Sequence, residues 1–416
     1  MPNRRLTRRR ALQAGIAGAA LAGFGLARLW PEQGLANPCL AVLPPELAGH
    51  EVVAAAWDGI DPAQVWDCHV HLAGIGDGGS GAWINPRMQS LLHPLEFAQR
   101  LFYLNAGCAH DAPGRVDASY IERMHNLLDG LRPGCKLMLM AFEQAHDAAG
   151  AIDTGSTSFH VPDAYAQQTA QRHPAVFEWI ASIHPYRRDS VTALEAAHRA
   201  GARAIKWLPA AMNIDPASPR CDGFFAALAR LRMPLITHGG MERAVHVGDR
   251  QPLDNPLRLR RALDHGVRVV LAHCASMGED HDLDRGPDGP LLPSFDLFAR
   301  LMDEPRYGKL LFGDLSAVTQ IDRAGPALQR IIERGDWHHR LLNGSDYPLP
   351  GIMPLFSVDY LVSLGLLAPP VAAVLSAIRQ YNPLLFDFAL KRHLTRGSQR
   401  LAPGVFHTSD FFTRAV

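Results

Sequence analysis

The chain has 416 residues, 47% of them hydrophobic, with 41 Lys plus Arg balanced by 41 Asp plus Glu. This composition supports a sizeable globular core, and zero net charge supplies no field to draw a nucleic-acid backbone or an anionic membrane surface, so nucleic acid is excluded as a charge-driven partner. The six Cys, at 39, 68, 108, 135, 221 and 274, contain no CxxC pair, so neither a zinc ribbon nor a dense disulfide scaffold is expected. The 20 His are more informative, because imidazole is a common metal ligand.

The N-terminus reads as an address. Residues 3–10 are NRRLTRRR and precede a mildly apolar, Gly- and Ala-rich run over 11–27, the layout of an export signal. Within it Thr7-Arg8-Arg9-Arg10-Ala11-Leu12 resembles the twin-arginine motif. The expectation is a signal over 1–36, cut near Gly34-Leu35-Ala36, with a periplasmic or otherwise exported mature protein that is not stably inserted in a membrane. A lead-in over 37–64, a main domain over 65–395 and a tail over 396–416 then complete the chain.

From residue 65 onward short β-type runs alternate with helical ones, the pattern of βα units around a parallel sheet. Strands are expected at 65–70, 136–142, 177–184, 202–208, 234–238, 268–273, 309–315 and 340–345, and helices at 190–200, 222–231, 255–265 and 291–303. Eight such units over about 280 residues predict an α/β fold of the (β/α)8 TIM-barrel type. Two connections are long: a Gly-rich stretch after the first strand that suits a cover for the barrel mouth, and an acidic stretch over 278–290 expected as a solvated loop.

The first strand ends WDCHVHL. Side chains alternate faces along a strand, so His69 and His71 point the same way and can grip one ion. Cys68 and Cys274, each one residue out of phase with a ligand candidate, are expected in the core. Later strands end in the same kind of group: the fifth in PLITHGG at His238, the sixth in VVLAHCAS at His273, the eighth in LLNGSDYP at Asp346. Barrel active sites assemble from the C-terminal ends of different strands, so these residues are expected around one centre. His184, in SIHPYRR after the third strand, is the group expected to touch substrate.

With the GARAIKWLP stretch added, the set resembles the amidohydrolase superfamily, in particular its amidohydrolase-2 group, over roughly residues 65–388. The resemblance implies a metal-dependent hydrolase acting on a C–N or C–O bond of a small molecule, with His69, His71, His238, His273 and Asp346 as metal ligands and Asp346 and His273 as catalytic groups. The implied cofactor is one or two divalent ions, with Zn2+ favoured. Lys206, ending the fourth strand, matches the position that some members carboxylate to bridge two metals; the alternative is a lysine that binds a substrate carboxylate. The rival activity is a decarboxylase or hydratase on the same site, and a non-catalytic metal-binding barrel ranks behind both. Nothing in the sequence sets an oligomeric state.

Overall fold

The computed structural model describes residues 34–109 and 112–413; the arginine-rich segment and most of the apolar run after it lie outside the described residues. Eight short parallel strands occupy the places expected: β1 (Trp66–His71), β2 (Lys136–Met140), β3 (Phe177–Ile180), β4 (Ile205–Trp207), β5 (Leu235–Thr237), β6 (Val269–Leu271), β7 (Leu311–Asp314) and β8 (Leu341–Leu342). β1 to β3 pair in order, as do β4 to β8. Two seams close the ring. Between β3 and β4, Ala181 N donates to Ala204 O at 3.0 Å and Lys206 N to Ala181 O at 2.7 Å; between β8 and β1, Cys68 N donates to Asn343 O at 3.2 Å and His71 N to Tyr347 O at 2.8 Å. The fold is therefore a (β/α)8 barrel.

Strands buried on both faces need apolar residues at successive positions, and β2 shows how they divide. Met138 and Met140 join Trp66, Cys68, Ile180, Ala204, Ile236, Val270 and Leu342 in the barrel interior. Leu137 and Leu139 face outward into the larger core, with Ile205, Trp207, Leu235 and Val269. The chain after residue 395 is part of this construction. Phe412 belongs to the interior cluster, Asn343 N donates to Val405 O at 2.9 Å, and Trp66 N donates to Thr408 Oγ1 at 3.0 Å, so the C-terminal residues close the barrel floor.

Two local expectations are corrected. The helix expected over 255–265 is a 3-10 turn, Pro256–Leu259, followed by a short α-helix, Arg260–Asp264. Asn255 caps Leu257 N at 3.0 Å and Pro256 takes the first position, which fixes a tight start. The acidic stretch is no simple solvated loop: Glu279–His281 pairs antiparallel with Leu291–Pro293, and Arg300 grips Asp282 at 2.6 Å. The following helix consequently begins at Ser294.

The Gly-rich connection after β1 runs over the mouth side. Trp83–Ile84 pairs with Phe159–His160, and the helix Pro94–Ala106 is tied across to the stretch after β5, with Gln99 Nε2 donating to Arg243 O at 3.2 Å and the Tyr103 hydroxyl to Ala244 O. A Cys39–Cys108 disulfide joins the lead-in to the end of this helix region. Cys68, Cys135, Cys221 and Cys274 are free and buried. No helix among the described residues is long and apolar enough to cross a membrane.

Candidate active site

β1 departs from regular alternation where the site begins. Its pairing with β2 runs Asp67 to Leu137 and then Val70 to Leu139, a bulge over Cys68 and His69. The bulge lets Cys68 stay in the barrel interior although His69, its neighbour, turns to the mouth, so Cys68 is core as expected but not by reversal of facing. Close approach of β8 is required here: a Cβ on Gly344 would stand 2.7 Å from the His69 Cβ.

His69, His71 and Asp346 meet at the mouth, with ligand atoms all within 4.8 Å of one another. Asp346 Oδ1 lies 3.1 Å from His71 Nε2 and 3.4 Å from His69 Nε2, and its Oδ2 lies 3.8 Å from His273 Nδ1. His71 is the group open to solvent, its side chain 21% exposed. The rings of His69, His273 and His238 follow one another at 5.2 Å centroid spacings. Lys206, fully buried, holds Nζ 3.0 Å from His69 Nε2. Asp346 and His273 both adopt the left-handed backbone region, at φ 63° and 57°, a conformation that non-glycine residues keep only where surrounding structure enforces it.

Electrostatics sorts these groups. Burial would push the Asp346 carboxyl up, but His69, His273 and His71 facing it hold it well below the usual carboxylate range. Burial pushes His238 down to about 4 and His273 well below its ordinary value. Burial and the Lys206 charge lower His69, and burial lowers Lys206 itself against the pull of Asp314, Asp346 and Glu242. Burial thus biases His69, His238 and His273 toward the neutral form, which carries a lone pair, while Asp346 is biased toward its ionised form.

A family model described as amidohydrolase matches residues 66–383. The chain belongs to the amidohydrolase family. No curated protein matches the sequence. Among solved structures, it is similar to an uncharacterised TIM-barrel protein from Bordetella bronchiseptica, at 14% identity and TM-score 0.45 over 74% of this chain and 93% of that one. It is also similar to a probable 2-pyrone-4,6-dicarboxylic acid hydrolase from Acinetobacter baumannii, at 13% identity and TM-score 0.43 over 77% and 96%. A third is a 2,6-dihydroxybenzoate decarboxylase, at 11% identity and TM-score 0.40 over 77% and 98%. Amidohydrolases are metal-dependent enzymes, and the residues of this amidohydrolase fit a divalent cation. His238 Nε2 is buried with no hydrogen-bond partner while Nδ1 lies 3.4 Å from Glu242 Oε2, so one nitrogen is oriented by a carboxylate and the other is left for a ligand. A donor set of imidazole nitrogens and one carboxylate suits zinc, manganese or iron.

Three further groups hold this amidohydrolase site in place. Asp314, at the end of β7, accepts from His69 Nδ1 at 2.8 Å through Oδ2, and through Oδ1 from His273 N at 3.1 Å, Ser316 N at 2.9 Å and the Ser316 hydroxyl. With both oxygens engaged it orients His69 and the strand-six turn. Ser316 O in turn accepts from His273 Nδ1 at 2.9 Å. Glu242 stands four residues after His238, a spacing visible in LITHGGMER.

His184 is not among the convergent residues. It is fully buried, its Nε2 donates to Met212 O at 2.8 Å, and its Nδ1 accepts from Tyr186 N at 3.1 Å. Both ring nitrogens are committed to backbone, which makes it a brace for the loop after β4 instead of the substrate contact expected.

Proposed function

We propose that the chain is a metal-dependent hydrolase that adds water across a C–N or C–O bond of a small molecule. The observation that carries this reading is the meeting of His69, His71 and an ionised Asp346 at the barrel mouth, with His238 and His273 alongside. His69, His71, His238, His273 and Asp346 would hold a divalent ion, with Zn2+ as the expected one, and such an ion would supply polarisation of the scissile group and acidification of water. Asp346, kept ionised, takes the proton of the attacking water and returns it to the leaving group. His273 is held as the Nδ1–H form by Ser316 O, so its Nε2 carries a lone pair and suits a ligand better than an oxyanion donor. We assign Lys206 to the same centre: burial favours its neutral amine, the form that could add carbon dioxide, with loss of a proton, to give a carbamate that would serve as a further metal ligand.

We also propose export of the mature protein. Support comes from the arginine-rich start and from the Cys39–Cys108 disulfide, a bond that persists in oxidising compartments.

The reaction is tested by running metal-loaded enzyme in ¹⁸O-water with a panel of small amides, esters and lactones. Solvent oxygen in the product, lost on chelation and restored by added Zn2+, is the expected result. Carbon dioxide release from a carboxylated substrate, or reversible hydration of a double bond, would replace the hydrolase with a lyase on the same residues.

A further inference from the structure

Arg323 lies in the turn that follows β7. That turn starts from Ala317 in the left-handed region, φ 55°, and is fixed by Gln320 N donating to Ala317 O at 2.9 Å, Arg323 N to Gln320 O at 3.0 Å and Ile321 N to Leu355 O at 3.0 Å. The Arg323 residue is 7% exposed, yet its Nε and Nη1 are buried without any hydrogen-bond partner, and no carboxylate among the described residues lies within ion-pair distance. The other deeply buried arginines each donate to at least one carbonyl, Arg340 through Nη2 to Met302 O at 2.8 Å although its Nε and Nη1 are also without partners, whereas Arg323 has no carbonyl partner among the described residues. Arg379 donates to Pro350 O, Ile352 O, Met353 O and Phe356 O, and Arg123 to Leu40 O and Tyr381 O.

A buried guanidinium with unmade bonds is costly, because its donors and its charge lose hydration with nothing put in its place. The carboxylates that feel its charge, Asp346, Glu242, Asp322 and Asp314, are engaged elsewhere, with His71, His238, Arg243 and His69 respectively. The same turn leaves Thr319 Oγ1 and Gln320 Nε2 buried without partners, and Ser276 Oγ after β6 is in the same condition. Buried, unfilled donors therefore collect on the β6 and β7 side of the mouth, beside a centre whose own acids are already used. The ligand that completes such a set is an anion, and a guanidinium fork matches a planar carboxylate with two parallel bonds.

We propose that Arg323 is a specificity-determining residue that binds a carboxylate of the small molecule acted on at the His69–His71–Asp346 centre. Its substrates are then carboxylate-bearing compounds, with Gln320 and Thr319 completing the anion's hydrogen bonds. This rests on reading that centre as the catalytic one, but not on which reaction occurs there.

The test is a binding titration, which needs no turnover. Benzoate and its uncharged isostere benzamide are titrated by calorimetry into metal-loaded wild type, Arg323→Gln and Arg323→Lys, with metal content and thermal midpoint recorded for each. Wild type is expected to favour benzoate by at least about ten-fold, as a charge-assisted pair should. Arg323→Gln is expected to lose that preference while benzamide binding and metal content stay unchanged. Arg323→Lys, which keeps the charge without the fork, should recover part of it and serves as the folded variant if the glutamine protein fails to fold. A benzoate preference that survives in both variants assigns the anion to the metal and overturns the proposal. So does parallel weakening of benzoate and benzamide, which marks a structural role, or a wild type that binds inorganic phosphate but shows no preference for benzoate over benzamide. If the hydrolase reading alone were wrong, the benzoate preference and its loss in Arg323→Gln would remain.

Discussion

We assign Asp346 two roles that one substitution separates. Its carboxylate faces His71 and His69 at 3.1 and 3.4 Å, so it is placed both to ligate and to accept a proton. Asp346→Asn keeps the shape and one possible ligand oxygen, but an amide cannot take a proton from water near neutral pH. The expected outcome is a fall in kcat of about 10²–10⁴-fold with much of the metal retained. Near-parental kcat per folded molecule would remove Asp346 from the chemistry. Asp314 differs in kind: it touches His69 and the backbone of His273 and Ser316, and acts by orienting them.

At the scale of elements, His184 shows how a loop after β4 is braced by a neutral imidazole. Burial, with His146 beside it, pushes its pKa down to about 3, whereas an unfolded histidine titrates near 6.5. The unfolded chain therefore binds the extra proton first, so the stability that His184 contributes is complete above about pH 6.5 and is lost as pH falls toward 3. His184→Gln should flatten the decline of the thermal midpoint between pH 6.5 and 4 relative to wild type; an unchanged slope would show that His184 does not carry this share. The strands themselves were legible because each is a short apolar run bounded by turn residues, and the convergence of the candidate ligands because the H-x-H pair and the strand-terminal His238, His273 and Asp346 sit at a repeating place in each unit. What could not be read depended on three dimensions. The β1 bulge that seats Cys68 and His69 together breaks the two-residue period, and the commitment of both His184 nitrogens arises from backbone brought in from Met212 and Tyr186. Asp314 stands in FGDLS, where the sequence does not set it apart from a capping residue, and Arg323 carries no motif at all; its signal is the absence of a partner for Nε and Nη1 among the described residues.

Across the whole molecule, the barrel is closed from below by the C-terminal residues around Phe412 and bounded at the mouth by the helix Pro94–Ala106. The Cys39–Cys108 bridge spans 69 residues of sequence, and closing a loop of that size constrains the unfolded chain by about 2–4 kcal/mol. Cys39→Ala/Cys108→Ala is expected to lower the thermal midpoint by several degrees with the metal content intact; an equal midpoint would deny the bridge a stabilising role. The claim on which the rest depends is that His69, His71 and Asp346 hold a catalytic cation. It is tested most directly by elemental analysis of purified wild type beside His69→Ala/His71→Ala, both loaded with Zn2+, desalted and verified as folded by circular dichroism. The account predicts at least one tightly held ion per chain in wild type and essentially none in the double variant, with hydrolysis lost in step. Equal metal in the two folded proteins, or a wild type that retains none, would contradict it.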